Sequence, residues 1–124
     1  MAASQTGSFN LSFTTAAGLV RTLLLNPTTF TLSGTNYLQY IQTIPTTSGG
    51  TALNVSGLTT PRWIAIINRD STNYVELLSA VSGTVIARLL SGEFACFPLD
   101  PSVTAPAMLA HTASVEVEVL VIEN

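Results

Sequence analysis

The sequence predicts an all-β protein, an antiparallel two-sheet sandwich with a jelly-roll-like arrangement. Apolar and polar residues alternate with a period of two, the period of a strand with one buried face. Turn signals such as Asn26-Pro27 and Ser82-Gly83 recur roughly every 8 to 12 residues, the spacing of sandwich and barrel folds. Helix formers such as lysine and glutamate are scarce, and the chain has no lysine. Short strands joined by turns, without helical crossovers, favour the sandwich.

The individual strands follow from this alternation. Phe9, Leu11 and Phe13 are each separated by a polar residue, and near the end of the chain four valines alternate with other residues. In chain order we predict strands near residues 8–14, 19–25, 28–32, 36–43, 51–55, 62–68, 73–79, 84–90, 93–97, 106–111 and 114–122. Residues 63–67 and 119–122 are apolar at consecutive positions, so both faces of these strands are expected to be apolar. We expect another subunit to cover at least one of them.

Two pairs of neighbouring strands are predicted to form hairpins. They are 63–67 with 74–78, joined by residues 68–73, and 85–90 with 93–97, joined by Ser91-Gly92. A tight turn often needs a residue with a positive φ, and glycine adopts one without steric cost. Gly92 is therefore expected to have a positive φ.

The length of 124 residues fits one domain, and we predict a single β-sandwich domain over residues 1–124. Residues 1–7 are small and polar, and we expect them to form a flexible N-terminal arm. They lack the basic region and the apolar segment of a signal peptide. No stretch reaches the roughly 18 apolar residues of a membrane helix, and so no membrane partner is expected.

Charge and hydropathy indicate a protein that contacts other proteins. Charged residues make up 9% of the chain, the net charge is −3 and the mean hydropathy is +0.46. Charged residues usually make up about 25% of a domain. The four arginines are scattered and do not form the basic patch of a nucleic-acid-binding surface. The surplus of apolar residues is expected to contact other subunits, which predicts a homo-oligomer.

No set of residues predicts an enzyme. The chain has one histidine, His111, and one cysteine, Cys96, and neither lies in the sequence signature of a nucleophile–base pair. We expect instead a structural or surface His111 and a buried Cys96. One histidine and one cysteine cannot fill a tetrahedral zinc site, and the sequence has no glycine-rich phosphate loop. Neither a cofactor nor a metal is therefore expected.

Three further features each allow two interpretations. Glu116 and Glu118 could seed a Ca²⁺ site or act as paired carboxylates, but we favour a solvated face whose like charges discourage edge-to-edge pairing. Asp70 could contact a metal or a sugar, but we favour a turn closed by its own side chain. Trp63 and the tyrosines could stack on a sugar, but we favour Trp63 in the core or at a subunit interface.

A resemblance to a known family covers about residues 58–123, carried by segments 60–75 and 90–99 and by the valine-rich end. The pattern is an apolar strand, an Asn-Arg-Asp turn, a strand, a Gly-Glu turn, a strand ending in proline and a closing strand. This pattern resembles small virion proteins of tailed bacteriophages, of the capsid decoration or cement type. The resemblance implies a β-sandwich that assembles in copies, often as trimers, and it implies no catalytic residue.

The resemblance implies a structural virion protein, assembled in the host cytoplasm, that stabilises the phage head by contacts with the major capsid protein. The expected contacts are Trp63, Leu120, Ile122 and the N-terminal arm, with Arg62 and Arg69 as polar anchors. The alternative is a tail or fibre module that serves attachment or binds host glycans, which a glycan array would distinguish. A hydrolase would instead need the single histidine near a nucleophile.

Overall fold

The structure, a computed structural model, describes residues 3–14, 20–32, 36–100 and 105–123. Every regular element in these ranges is a β-strand, which confirms the predicted all-β class. The strands are β1 (Ala3–Thr14), β2 (Val20–Leu32), β3 (Tyr37–Ile44), β4 (Thr51–Ala52), β5 (Pro61–Asn68), β6 (Val75–Leu78), β7 (Val85–Leu89), β8 (Phe94–Pro98), β9 (Ala107–Ala110) and β10 (Val115–Glu123). The predicted strands 19–25 and 28–32 are parts of one strand, β2. No helix in the described ranges has the length and hydrophobicity needed to cross a membrane.

The chain divides into two compact units, of which the first is Met1–Thr35. In this unit β1 and β2 pair antiparallel, with Leu11 opposite Leu23 and an irregularity between Gly7 and Phe9. Residues 3–7, which were expected to belong to an N-terminal arm, are part of β1, whereas residues 1 and 2 lie outside the described residues.

The second unit, Asn36–Asn124, contains two antiparallel sheets of four strands each. Sheet I has the strand order β3-β10-β5-β8, and sheet II has the order β4-β9-β6-β7. The pairings are nested, because β3 pairs with β10, β4 with β9, β5 with β8 and β6 with β7. A long hairpin with β6 and β7 at its tip, wound into two sheets, gives this order, which is that of a jelly roll. The predicted two-sheet sandwich is therefore confirmed.

Both predicted hairpins are wrong. Strands β5 and β6 lie in different sheets, and so do β7 and β8. Their connections, residues 69–74 and 90–93, carry the chain from one sheet to the other instead of reversing it within a sheet. Local sequence marks a strand and a turn, but the partner of a jelly-roll strand is usually distant in the chain.

The core lies between the two sheets and consists of aliphatic side chains that are at most 5% exposed. It contains Ile44, Leu53, Ile64, Ile66, Val75, Leu77, Leu89, Met108, Ala110, Val115, Val117, Val119 and Val121. On β10 every second residue is buried, as the predicted alternation requires. At roughly 1.5–3 kcal/mol for each fully buried aliphatic side chain, this layer is the main source of the sandwich's stability.

The turn at Gly92 has the predicted positive φ, of 75°. The Glu93 amide donates to the Leu90 carbonyl at 3.0 Å and closes the turn. A Cβ at Gly92 would have no neighbour within 4 Å, so a substitution there affects the backbone and no packing contact.

We expect Gly92→Val to lower the free energy of unfolding by more than ~1 kcal/mol, because a β-branched residue is strained at positive φ. Gly92→Asn is the control, because asparagine tolerates this conformation better and should cost clearly less. Urea denaturation measures both variants. An unchanged midpoint for Gly92→Val would show that the turn does not need a positive φ.

Candidate functional site

The outer face of sheet I, meaning the side turned away from the core, presents three rows of side chains across the four strands. The rows are Tyr37, Ile122, Trp63 and Pro98; then Gln39, Leu120, Ala65 and Cys96; then Ile41, Glu118, Ile67 and Phe94. Antiparallel sandwiches usually carry polar residues on this side. Here most positions are apolar, so that the strands 63–67 and 119–122 have apolar residues on both faces, as their sequences predicted.

Several large side chains of this face are open to solvent. Tyr37 is 65% exposed, Ile41 is 63% exposed and Phe94 is 57% exposed. Trp63 and Ile122, in the central strands, are half-buried by their neighbours. A contiguous apolar surface of this kind usually marks a site of contact with another protein.

Three of the five predicted contact residues lie together on the outer face. Ile122 is directly opposite Trp63 in the β10–β5 register. Leu120 lies one row further along β10, opposite Ala65. These residues were predicted as contacts because they lie in strands that are apolar on both faces. The structure shows that they lie on the same side of two adjacent strands.

Arg69, a predicted polar anchor, lies at the end of this face and pairs with Glu118. Its Nε donates to Glu118 Oε2 at 2.8 Å, and its Nη2 pairs with the same oxygen. Gln39 Nε2 donates to Glu118 Oε1 at 3.0 Å. The hydrogen bond from Arg69, followed by that from Gln39, lowers the pKa of Glu118. Both oxygens of this carboxylate therefore have partners within the chain.

Arg62, the second predicted anchor, lies outside the three rows. It precedes Trp63 on β5 at the point where the register with β10 is irregular. Its Nη1 donates to the Leu99 carbonyl at 2.6 Å, and the Leu99 amide donates back to the Arg62 carbonyl at 2.6 Å. Arg62 thus joins the start of β5 to the residue after β8.

A second polar cluster lies on sheet II around Glu76. Arg88 Nη2 lies 2.8 Å from Glu76 Oε1, and His111 Nε2 lies 2.8 Å from Glu76 Oε2. The Tyr74 ring has the Arg88 guanidinium 4.3 Å from its centroid and the His111 ring at 5.4 Å. Hydrogen bonds, first from Arg88 and then from His111, lower the pKa of Glu76. The cluster links β6, β7 and the end of β9, in agreement with a structural His111.

Cys96 lies on the outward side of β8 and is an exposed free thiol. The prediction of a buried cysteine is wrong, because the alternation along β8 turns Ala95 and Phe97 toward the core. Partial burial among its neighbours raises the pKa of the Cys96 thiol. A raised pKa disfavours the thiolate, the reactive form of cysteine.

The loop after β5 is closed by side chains, as predicted for Asp70. Asp70 Oδ1 accepts the Thr72 amide at 2.7 Å and the Asn73 amide at 2.6 Å, which is an Asx-type turn. These backbone hydrogen bonds, that of Asn73 first, lower the pKa of Asp70. Asn68 lies fully buried beneath the loop and bonds to it through both ends of its amide.

The prediction that the like charges of Glu116 and Glu118 discourage edge-to-edge pairing of sheets is wrong. Strand β10 lies between β3 and β5 in the middle of sheet I, so these carboxylates protect no free sheet edge. Glu116 is exposed, and Glu118 is held by Arg69. In the part of the chain that the structure describes, no group of three His, Cys, Asp or Glu side chains is placed to hold a metal ion.

Three residues of these sites, Glu76, Asn68 and Ile41, were not singled out from the sequence. Glu76 is the one charge in the strand 75–78, and a lone charge in an apolar strand signals the need for a partner. Asn68 carries no comparable signal, because asparagine is common in exposed turns. Tyr37 and Ile41 alternate with Leu38 and Tyr40, and the alternation alone does not show which pair faces outward.

Comparison of the chain with family models, with curated proteins and with solved structures found no match. The geometry of the described residues and the pattern in the sequence are therefore the basis for a functional proposal.

Proposed function

We propose that this protein is a structural component of a tailed-bacteriophage virion, a capsid decoration or cement protein. It stabilises the assembled head through non-covalent contacts with the major capsid protein and performs no chemistry. Two observations support the proposal: the pattern shared by residues 58–123 with such proteins, and a two-sheet sandwich of the kind found in capsid and lectin domains.

The observation that carries the proposal is the apolar outer face of sheet I. Trp63, Leu120 and Ile122 lie on its two central strands, and the exposed Tyr37 and Phe94 lie on its two edge strands. Aromatic residues are enriched at the centre of protein interfaces and charged residues are depleted there. The one charged side chain in the three rows, that of residue 118, is already held within the chain by Arg69.

The size of this face favours a repeated contact over a single strong one. Strands lie about 4.8 Å apart and same-face residues repeat about every 6.8 Å, so the face measures roughly 400 Å². A stable complex of two proteins buries about 800 Å² on each partner. One copy on one capsid subunit would therefore bind weakly. Many copies, joined as a homo-oligomer with a trimer preferred, would bind an assembled lattice through multivalency.

Co-sedimentation with purified heads tests this proposal. We expect the protein to sediment with assembled capsids and to bind free capsid subunits much more weakly, because only the lattice offers several contacts at once. Heads that carry the protein should also resist heat and osmotic shock better than heads without it. Equal binding to free subunits, or equal resistance of both kinds of head, would contradict the proposal.

A tail or fibre module is the competing function, and the same face could serve it. Exposed aromatic side chains such as Tyr37 can stack on a sugar ring. Binding to host glycans on an array, together with no binding to heads, would favour this alternative.

A further inference from the structure

Glu123, at the end of β10, has a carboxylate that accepts hydrogen bonds from Asn36, Thr59 and Thr60. Asn36 Nδ2 donates to Oε2 at 2.8 Å, the Thr59 amide donates to Oε1 at 2.9 Å and the Thr60 amide donates to the same oxygen at 3.2 Å. The residue is only 6% exposed. A carboxylate bound by several N–H groups is stabilised in its ionised form.

These bonds join three separate parts of the sandwich. Asn36 is the first residue of the second unit and directly precedes β3, whereas Thr59 and Thr60 directly precede β5. The backbone adds one link, because the Glu123 amide donates to the Asn36 carbonyl at 3.1 Å. The β10–β5 register is irregular between Ile122 and Glu123, and the Glu123 side chain adds hydrogen bonds at this irregular end of the pair.

In the part of the chain that the structure describes, the groups that donate to the Glu123 carboxylate are neutral. The titratable side chains of β3 and β5 are Tyr37, Tyr40 and Arg62. The Tyr40 hydroxyl donates to the Asn54 carbonyl at 2.6 Å. Tyr37 is 65% exposed, and the Arg62 guanidinium bonds to the Leu99 carbonyl. Hydrogen bonds, from Asn36 first and then from the Thr59 amide, hold the pKa of Glu123 below its ordinary value of 4.5.

We propose that Glu123 is an acid-sensitive clasp, which holds the starts of β3 and β5 to the end of β10 when ionised and releases them when protonated. Protonation removes the negative charge that strengthens these hydrogen bonds, and the proton occupies one acceptor position. Loss of the clasp opens this end of the sandwich locally, while the core between the sheets stays closed. The inference does not depend on the proposed function.

The direction of the pH dependence follows from the lowered pKa. Ionised Glu123 contributes its full stabilisation above about pH 4.5, the ordinary value for the unfolded chain. The contribution is lost as the pH falls through the lower pKa of the folded state. The clasp is therefore closed at neutral pH and opens only in acid, below pH 4.5.

Amide hydrogen exchange followed by NMR tests the clasp. The protection factors of the Thr59 and Thr60 amides should be constant near neutral pH and fall about tenfold or more below the pKa of Glu123. The amide of Val119, in the centre of β10, should stay protected at the same pH. In Glu123→Gln the two threonine amides should lose protection at neutral pH, because the Gln amide group replaces one of the two acceptor oxygens.

Glu116→Gln is the matched control, because Glu116 lies on the same strand and its side chain is exposed. It should leave both threonine amides unchanged. If Glu123→Gln does not fold, an NMR pH titration of the wild-type protein tests the inference instead. The ¹³C shift of the Glu123 carboxyl and the proton shifts of the Thr59 and Thr60 amides should then titrate with one midpoint. Protection that stays constant through that midpoint, or wild-type protection in a folded Glu123→Gln, would overturn the inference.

Discussion

Asn68→Ala is expected to lower the free energy of unfolding by about 2–4 kcal/mol, since it leaves buried polar groups without partners. Asn68 is fully buried, and its Nδ2 donates to the Asn73 carbonyl at 2.9 Å and to the Leu89 carbonyl at 3.1 Å. Its Oδ1 accepts the Asp70 amide at 2.9 Å. One side chain thus joins the loop after β5 to the end of β7, and alanine can replace none of these bonds.

Chemical denaturation of wild type and two further variants isolates this effect. Asn68→Asp keeps the size and an acceptor but loses both donors, so it should destabilise at least as much as alanine. Asn54→Ala is the control, because exposed Asn54 also closes a turn, accepting the Ser56 amide at 3.0 Å, and its loss should cost less than ~1 kcal/mol. Equal losses at positions 68 and 54 would show that burial of Asn68 is not what makes it important.

Trp63→Ala is expected to weaken attachment to heads by about 2 kcal/mol or more, roughly thirtyfold in Kd, because a large aromatic at an interface centre is often a hot spot. Trp63 lies on the outer face and not between the sheets. The melting temperature of the isolated protein should therefore change much less than its binding. Titration of heads with labelled protein gives the first quantity, and calorimetry gives the second.

Ile64→Val provides the matched control for this prediction. Ile64 is the next residue on β5 and is fully buried in the core, so its truncation should destabilise by about 0.5–1.5 kcal/mol and leave attachment unchanged. If Trp63→Ala instead lost much stability and bound heads like the wild type, the indole would stabilise the folded domain and would not contribute to the interface.

The strands of the sandwich could be predicted from the sequence because each is a local pattern. The alternation in 115–121 identifies β10 and its buried face, and the positive φ of Gly92 follows from the turn. The pairing of strands could not be predicted in this way. Whether the chain after Asn68 folds back beside β5 or crosses to sheet II depends on contacts with strands far away, and local residues do not encode them.

The candidate site could also be predicted only in part from the sequence. Consecutive apolar residues in 63–67 and 119–122 indicated a second apolar face, but only the register shows that Trp63 and Ile122 are neighbours. The two arginines looked equivalent in the sequence. Their partners separate them in the structure, because Arg69 donates to Glu118 whereas Arg62 donates to the Leu99 carbonyl. Polar side chains far apart in sequence meet only in the folded chain.

Cryo-microscopy of heads saturated with the protein tests the central proposal most directly. We predict density for the sandwich over junctions between capsid subunits, with the outer face of sheet I, centred on Trp63 and Ile122, turned toward the capsid. Density only in the tail, or a sandwich bound to the head through sheet II with the outer face of sheet I free in solvent, would contradict it.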